Sequence, residues 1–155
     1  MTKKIAIGND HSGVNLKHKI CQFLNENGYV VTNFGTDSEA SVDYPDIAHL
    51  VANSVISLNF DLGILICGSG QGVAITANRH KYVRAVIAWK PEIAELSRKH
   101  NNSNLLCLPA RFLSGKEALQ IVEIFLNTEF EQGRHLNRIE KIEAGVLCES
   151  NNMDD

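Results

Sequence analysis

Cys67 ends a short apolar run, Leu62 to Ile66, and is followed by glycines at alternate positions, Gly68, Gly70 and Gly72, in the stretch LGILICGSGQGVAITAN. The run reads as a strand and the segment after the glycines as a helix, so the thiol sits on a strand-to-helix turn. Alternate glycines let the backbone from Gly68 through Ser69, Gly70 and Gln71 to Gly72 turn successive N–H groups into one concavity beside a helix N-terminus. Such a concavity holds negative charge, and a thiolate at its lip would be stabilised by the same dipoles. A base and an oxyanion hole would then share one loop. Alone, a cysteine closing a buried strand is most often a small core residue, and a glycine turn can serve packing only. Three glycines in five residues shift the weight toward chemistry.

Other residues of reactive type lie far away in sequence. Asp10 and His11 follow the first apolar run, Lys4 to Gly8, where such a pair is commonly just a cap or a solvated turn. Tyr44 sits in Asp43-Tyr44-Pro45, at the end of a polar loop that begins at Gly35. Arg134 and Arg138 are four apart on a predicted last helix, so both guanidinium groups leave one face, a spacing suited to gripping a phosphate. His100-Asn101-Asn102 closes a predicted fourth helix, where His complements the dipole and Asn caps. Arg111 is an isolated base after the fifth apolar run and carries no meaning by itself.

The elements that must position these residues alternate strictly. Strands are predicted at Lys4–Gly8, Tyr29–Phe34, Leu62–Ile66, Val83–Ala88 and Leu105–Leu108. Between them lie helices, the first with Leu16, Ile20, Phe23 and Leu24 on one face and Gly28 beyond its end, the second starting at Asp46. Pro91 opens the fourth helix, Ser114 and Glu117 form a capping box for the fifth, and a further helix from about Arg134 carries Leu136, Ile139, Ile142 and Val146. Alternation of this kind requires parallel strands joined by right-handed crossovers. The expected fold class is α/β, a single doubly wound domain over residues 1–148 with a five-stranded parallel sheet in the order 2-1-3-4-5. Helices cover both faces, with an extra one at the C-terminus. That order puts the chain reversal between the first and third strands, so Asp10, His11 and Cys67 face one crevice at their carboxyl ends.

Composition excludes several classes. The 155 residues can bury a core without metal or disulfide support, and fifteen basic against eighteen acidic side chains give a net charge of −3. No basic run suggests nucleic acid, no apolar stretch is long enough to span a bilayer, and the four cysteines form no metal-ligand cluster. A reducing cytoplasm is the expected location, with no metal and no cofactor, and Glu149 to Asp155 reads as a solvated tail.

The ordered motifs KIAIGNDHSG, Thr36 to Asp43-Tyr44-Pro45, ILICGSGQGVAITANR, LSRKHNNSNLL and GRHLNRI together closely resemble the ribose-5-phosphate isomerases of the B type, a sugar-phosphate isomerase family that includes galactose-6-phosphate isomerases. The resemblance implies Cys67 as the base that moves a proton between sugar carbons and Gly68 through Gly72 as the anion cradle. It implies His100 as the acid/base of ring opening, assisted by Asp10, and Asn101 as a holder of the reacting oxygens. His11, Arg111, Arg134 and Arg138 match phosphate-site positions, Tyr44 a sugar-pocket position, and Ser69 a place where many members have Thr. It also implies a phosphorylated sugar as substrate, pentose or hexose, and a homodimer with shared active sites, with pairing into a tetramer as an option.

Two other classes fit parts of the pattern. A nucleotide-binding module would use the glycine loop, but GSGQG has neither the GKS/GKT end of a Walker motif nor GxGxxG spacing. A cysteine hydrolase would pair Cys67 with His100. Within one chain that pairing meets a geometric obstacle: the fourth helix runs away from the carboxyl ends of the strands, and ten residues of helix span ~15 Å. If His100 and Cys67 serve one sugar, a second chain must bring the His.

Overall fold

The computed structural model describes residues 2–147; Cys148 and the expected tail at Glu149 to Asp155 lie outside the described residues. Five apolar runs form strands, β1 (Lys4–Asn9), β2 (Val30–Asn33), β3 (Leu62–Cys67), β4 (Ala85–Ile87) and β5 (Leu105–Pro109). All pair in parallel. The helices are α1 (Val14–Glu26), α2 (Tyr44–Ile56), α3 (Gln71–Ala77), α4 (Pro91–Asn101), α5 (Gly115–Asn127) and α6 (Arg134–Leu147).

Sequence punctuation does what its chemistry demands. Gly28, just past α1, takes φ 79°, a left-handed conformation that glycine adopts without a Cβ penalty. Ser114 and Glu117 cap α5 reciprocally: the Glu117 N–H donates to Ser114 Oγ at 3.2 Å, and the Ser114 N–H donates to the Glu117 carboxylate at 2.8 Å. Helix α2 begins at Tyr44, two residues before the expected Asp46, because Pro45 suits a first helical turn.

The strand order is 2-1-3-5-4, not the expected 2-1-3-4-5. Leu105–Pro109 is buried along its whole length and takes the interior place beside β3, whereas β4 is three residues long, only partly buried, and lies at the edge. Helix placement follows from this order. Connections β1 to β2 and β4 to β5 run toward one side of the sheet, β2 to β3 and β3 to β4 toward the other, so right-handed crossovers send the two pairs to opposite faces. Accordingly Leu16, Ile20, Ala94, Ile121 and Phe125 from α1, α4 and α5 share one core. Ile47, Val51, Val73 and Ala77 from α2 and α3 share the other.

Candidate active site

At the carboxyl ends of β1 and β3 the backbones part and leave a crevice of about 460 Å³, lined by Asp10, His11, Tyr44, Cys67, Ser69 and Arg111 among others. The Asp10 N–H still donates to the Ile66 carbonyl at 3.1 Å, after which the chain folds into a short 3-10 turn over His11–Gly13. The Asp10 carboxylate caps that turn, accepting from the Ser12 N–H at 2.9 Å and the Ser12 hydroxyl at 2.5 Å. It is 7% exposed, as fixed as a carboxylate at a cleft can be. His11 Nδ1 accepts from the Val42 N–H at 3.4 Å, which ties the imidazole to the loop before α2.

Cys67 is 5% exposed at the floor. The turn after it is shaped by three glycines for distinct reasons. Gly70 has φ 73°, a conformation that turns the chain into α3. Gly68 lies under the Arg111 side chain, where a Cβ would come within 3.1 Å of Nε, and Gly72 lies under the Tyr44 ring. Ser69 is exposed, and its hydroxyl accepts from the Gln71 N–H at 3.4 Å. Helix α3 has seven residues, so the loop amides rather than a long dipole supply the field at this site.

The revised strand order explains why Arg111 is here. Cys67 and Pro109 are register partners on adjacent strands. The Ala110 N–H donates to the Cys67 carbonyl at 2.9 Å and the Arg111 N–H to the Gly68 carbonyl at 3.1 Å, lacing the loop after β5 onto the glycine turn. With β4 between them, Arg111 would stand one strand further away, ~4.8 Å.

His100, Asn101, Arg134 and Arg138 are not in this crevice. Helix α4 leaves the carboxyl end of β4 and finishes at the other end of the sheet, where Arg84, the residue before β4, donates through Nε to the carbonyls of Asn101 at 3.1 Å and Asn102 at 3.0 Å. There His100 stacks on His135, ring centroids 4.3 Å apart and planes 12° from parallel. Burial first, then the positive charges of His100, Arg134 and Arg138, hold His135 below the ordinary imidazole range. The expected residues thus form two groups, Asp10, His11, Cys67 and Arg111 in the crevice and His100, Asn101, Arg134 and Arg138 outside it.

Sequence reasoning missed several residues that touch these two groups or the loops around them. Asn9, fully buried, donates from Nδ2 to the carbonyls of Asp10 at 2.8 Å and Thr36 at 3.0 Å. Lys17, 1% exposed, donates to the same Thr36 carbonyl at 2.7 Å and pairs with Asp37. These two bind the β2–α2 loop to the crevice wall. The signal for Lys17 was its place beside Leu16 and Ile20 on the core face of α1. His135 was visible only inside the GRH motif, and Glu131 had no signal.

The chain matches the family model described as Ribose/Galactose Isomerase over residues 5–142, a span that contains both groups. It belongs to the ribose/galactose isomerase family. Ribose-5-phosphate isomerase B of Escherichia coli is 44% identical over 142 residues, covering 92% of this chain and 95% of that one. Among solved structures, ribose-5-phosphate isomerase B of Clostridium thermocellum superposes with a TM-score of 0.93 at 44% identity, covering 95% of this chain and 99% of that one. The Mycoplasma genitalium enzyme, solved with bound ribulose-5-phosphate, gives 0.90 at 42% identity, with 95% and 98% covered. Five parallel strands with helices on both faces are therefore the frame that this isomerase family shares with the chain.

Proposed function

We infer that this chain interconverts ribose 5-phosphate and ribulose 5-phosphate through an enediolate. The observation that carries the reading is the buried Cys67 thiol beneath a glycine turn, facing Asp10, His11 and Arg111 in one crevice, in a chain so similar to an isomerase solved with ribulose-5-phosphate. Cys67 takes the proton from C2 of the open-chain aldose; the electron pair moves through C1 onto the carbonyl oxygen. The charge on that oxygen meets the amides from Gly68 to Gly72 and the Ser69 hydroxyl. The proton returns to C1 while the O2 proton passes to O1, leaving a ketone at C2. A positioned base gives ~10²–10⁴-fold, and one oxyanion donor ~2.7–4 kcal/mol, so loop and thiol contribute comparably.

Before that step the furanose must open: a base removes the O1 proton and an acid protonates the ring oxygen. His100, with Asp10, has this role in our reading, Asn101 steadies the oxygens, and Tyr44 covers the sugar. His11 and Arg111 take the phosphate from one side, Arg134 and Arg138 from the other. Because the two groups lie at opposite ends of the sheet, the working unit is a two-fold homodimer in which each crevice receives the partner's helix end. The exposed Phe112 (74%) lines the crevice, the exposed Trp89 (53%) lines an adjoining pocket that shares Ser69 and Phe112 with it, and both suit coverage by a second chain. Cys21, Cys67 and Cys107 are free thiols, which fits a reducing cytoplasm, and among the described residues no helix is long and apolar enough to cross a membrane.

The test is NMR of purified protein mixed separately with ribose 5-phosphate, allose 6-phosphate and galactose 6-phosphate. Ribulose 5-phosphate should appear fastest. Turnover of allose 6-phosphate or galactose 6-phosphate alone would move the assignment to an isomerase of that 6-phosphorylated hexose, and no turnover at all would refute it.

A further inference from the structure

The end of α4 is knitted to the segment that leads into α6 with more contacts than a helix terminus requires. Arg98 Nε donates to the Thr128 carbonyl at 3.2 Å and the Glu131 N–H donates to the Lys99 carbonyl at 3.1 Å. Gln132 and Gly133 then both take positive φ, 61° and 57°. For Gln132 this is a conformation that a side chain disfavours, and it persists only where surroundings impose it. The consequence is specific. The tight turn leaves Glu131 on one side and His135 on the other, both against His100. The Glu131 carboxylate lies 3.8 Å from His100 Nε2 and 3.9 Å from His135 Nε2, while the buried His135 ring lies flat on the His100 ring.

We propose that Glu131 and His135 are positioning residues for His100, the carboxylate balancing the imidazolium that forms in ring opening and the stacked ring fixing the plane in which the imidazole meets the sugar. This rests on the reading of His100 given above. A ring on a helix end has free χ rotation unless something holds it, and misplacing a catalytic group by 1 Å can cost ~10²-fold. A carboxylate behind an imidazole is a recurrent means of holding it and of stabilising its charged form. Arg134 and Arg138 from α6 act on the stacked His135, and on α4 Lys99 is paired with Glu95 at 2.6 Å. With Lys99 engaged by Glu95, Glu131 is the carboxylate that lies beside the His100 imidazole. A neutral His135 can stack on a charged His100 without repulsion, and burial, followed by the charges of His100, Arg134 and Arg138, lowers the His135 pKa against the opposing pull of Glu131.

The three donor atoms lie within 4.8 Å of one another, which invites a metal. Rings 12° from parallel and one above the other cannot aim both in-plane lone pairs at one ion, so the arrangement suits a held imidazole.

The test compares two assays, turnover of cyclic ribose 5-phosphate and solvent deuterium exchange into an open-chain analogue. Glu131→Gln, on an exposed loop, should lower kcat on the cyclic sugar about tenfold with KM little changed and exchange intact, and Glu131→Asp should recover part of the loss. His135→Ala should behave like Glu131→Gln, while His135→Phe, which retains a flat ring, should retain most activity. A merely structural role would lower both assays together. If His100→Asn impairs both assays equally, the ring-opening role falls and the positioning role with it. If His100→Asn is selective but Glu131→Gln and His135→Ala turn over cyclic sugar at the wild-type rate, the positioning role alone is overturned.

Discussion

Tyr44 lies across Gly72 so closely that a Cβ on the glycine would stand 2.5 Å from the ring's Cζ. The contact joins the first turn of α2 to the first turn of α3, so the ring that covers the crevice is seated on the turn that carries the amides. Only a residue without a side chain permits this seat. Gly72→Ala adds a methyl in a helix, where it favours the fold by ~1 kcal/mol in propensity. The half-exposed ring can swing outward, so thermal stability should stay near wild type. The expected loss is in kcat/KM for ribose 5-phosphate, roughly 10–100-fold, the scale of a displaced positioning group. Tyr44→Ala with Gly72→Ala should be no worse than Tyr44→Ala alone; additive losses would show that the glycine acts through something other than the ring.

Cys67→Ser isolates the proton transfer. The side chain shrinks slightly at a site that is already closed, so substrate affinity should change little. A hydroxyl without an assisting base is far too weak to take a carbon-bound proton at neutral pH, and kcat should fall by ~10²-fold or more. Deuterium exchange at C2 should fall in parallel. A variant with wild-type kcat would sink the assignment of the base.

Arg111, Arg134 and Arg138 should each contribute through phosphate alone. Replacing any one by Ala should weaken binding of ribose 5-phosphate by ~1–3 kcal/mol, the scale of a charge-assisted hydrogen bond, and leave the weak binding of unphosphorylated ribose unchanged. Calorimetry with both ligands checks this. Parallel loss of both affinities would make the arginine in question a structural residue.

The place of Arg111 shows where the sequence was legible and where it was not. Apolar period and punctuation defined all five strands and six helices, and the Cys67 turn with Asp10 and His11 followed from topology. Arg111 remained isolated because its meaning depends on which strand lies beside β3. The cue was present: Leu105 to Leu108 is an unbroken apolar run, as interior parallel strands are, whereas the fourth strand's segment contains Arg84, a residue suited to an edge. Lys17 was harder to read, since a lysine near the core face of an amphipathic helix ordinarily extends its amine to water. Glu131 has no local pattern at all; its position is set by a turn between two helices that pack from distant parts of the chain.

Lys17 gives a pH prediction. Its hydrogen bond to Asp37, and then its charge, hold the Asp37 carboxyl below the usual carboxylate range. A depressed folded-state value stabilises the fold above the ordinary aspartate pKa, about 3.9, and that contribution is lost as pH falls through the folded value. Lys17→Met keeps the aliphatic stem in the core but removes the link to Asp37 and one donor to the Thr36 carbonyl, which retains Asn9. It should be less stable than wild type at pH 7, because the amine's bond to the Thr36 carbonyl and its link to the exposed Asp37 are both lost. The gap should narrow below about pH 4. Urea melts at pH 7 and pH 3 measure it; a gap that is constant with pH would mean that the amine serves only the carbonyl.

The division of the site between two ends of the sheet makes the strongest prediction. Helix α4 has eleven residues, ~16 Å, and it carries His100 away from Cys67; no rotamer of an imidazole recovers that distance. In the two-fold dimer proposed above, each crevice would draw Asp10, Cys67 and Arg111 from one chain and His100 from the other. Homodimers of Cys67→Ser and of His100→Asn should then both be inactive, the latter toward the cyclic sugar. When subunits exchange, a mixed dimer has one site lacking both groups and one site with the intact Cys67 of one chain and the intact His100 of the other. Each mixed dimer should show about half the wild-type activity, and random exchange of equal amounts, which makes about half the dimers mixed, should give about a quarter overall. If the site lay within one chain, every site in a mixed dimer would carry one lesion and nothing would be recovered. Exchange is followed independently by native mass spectrometry of a size-tagged chain, so absence of activity in a sample with mixed dimers rules the shared site out.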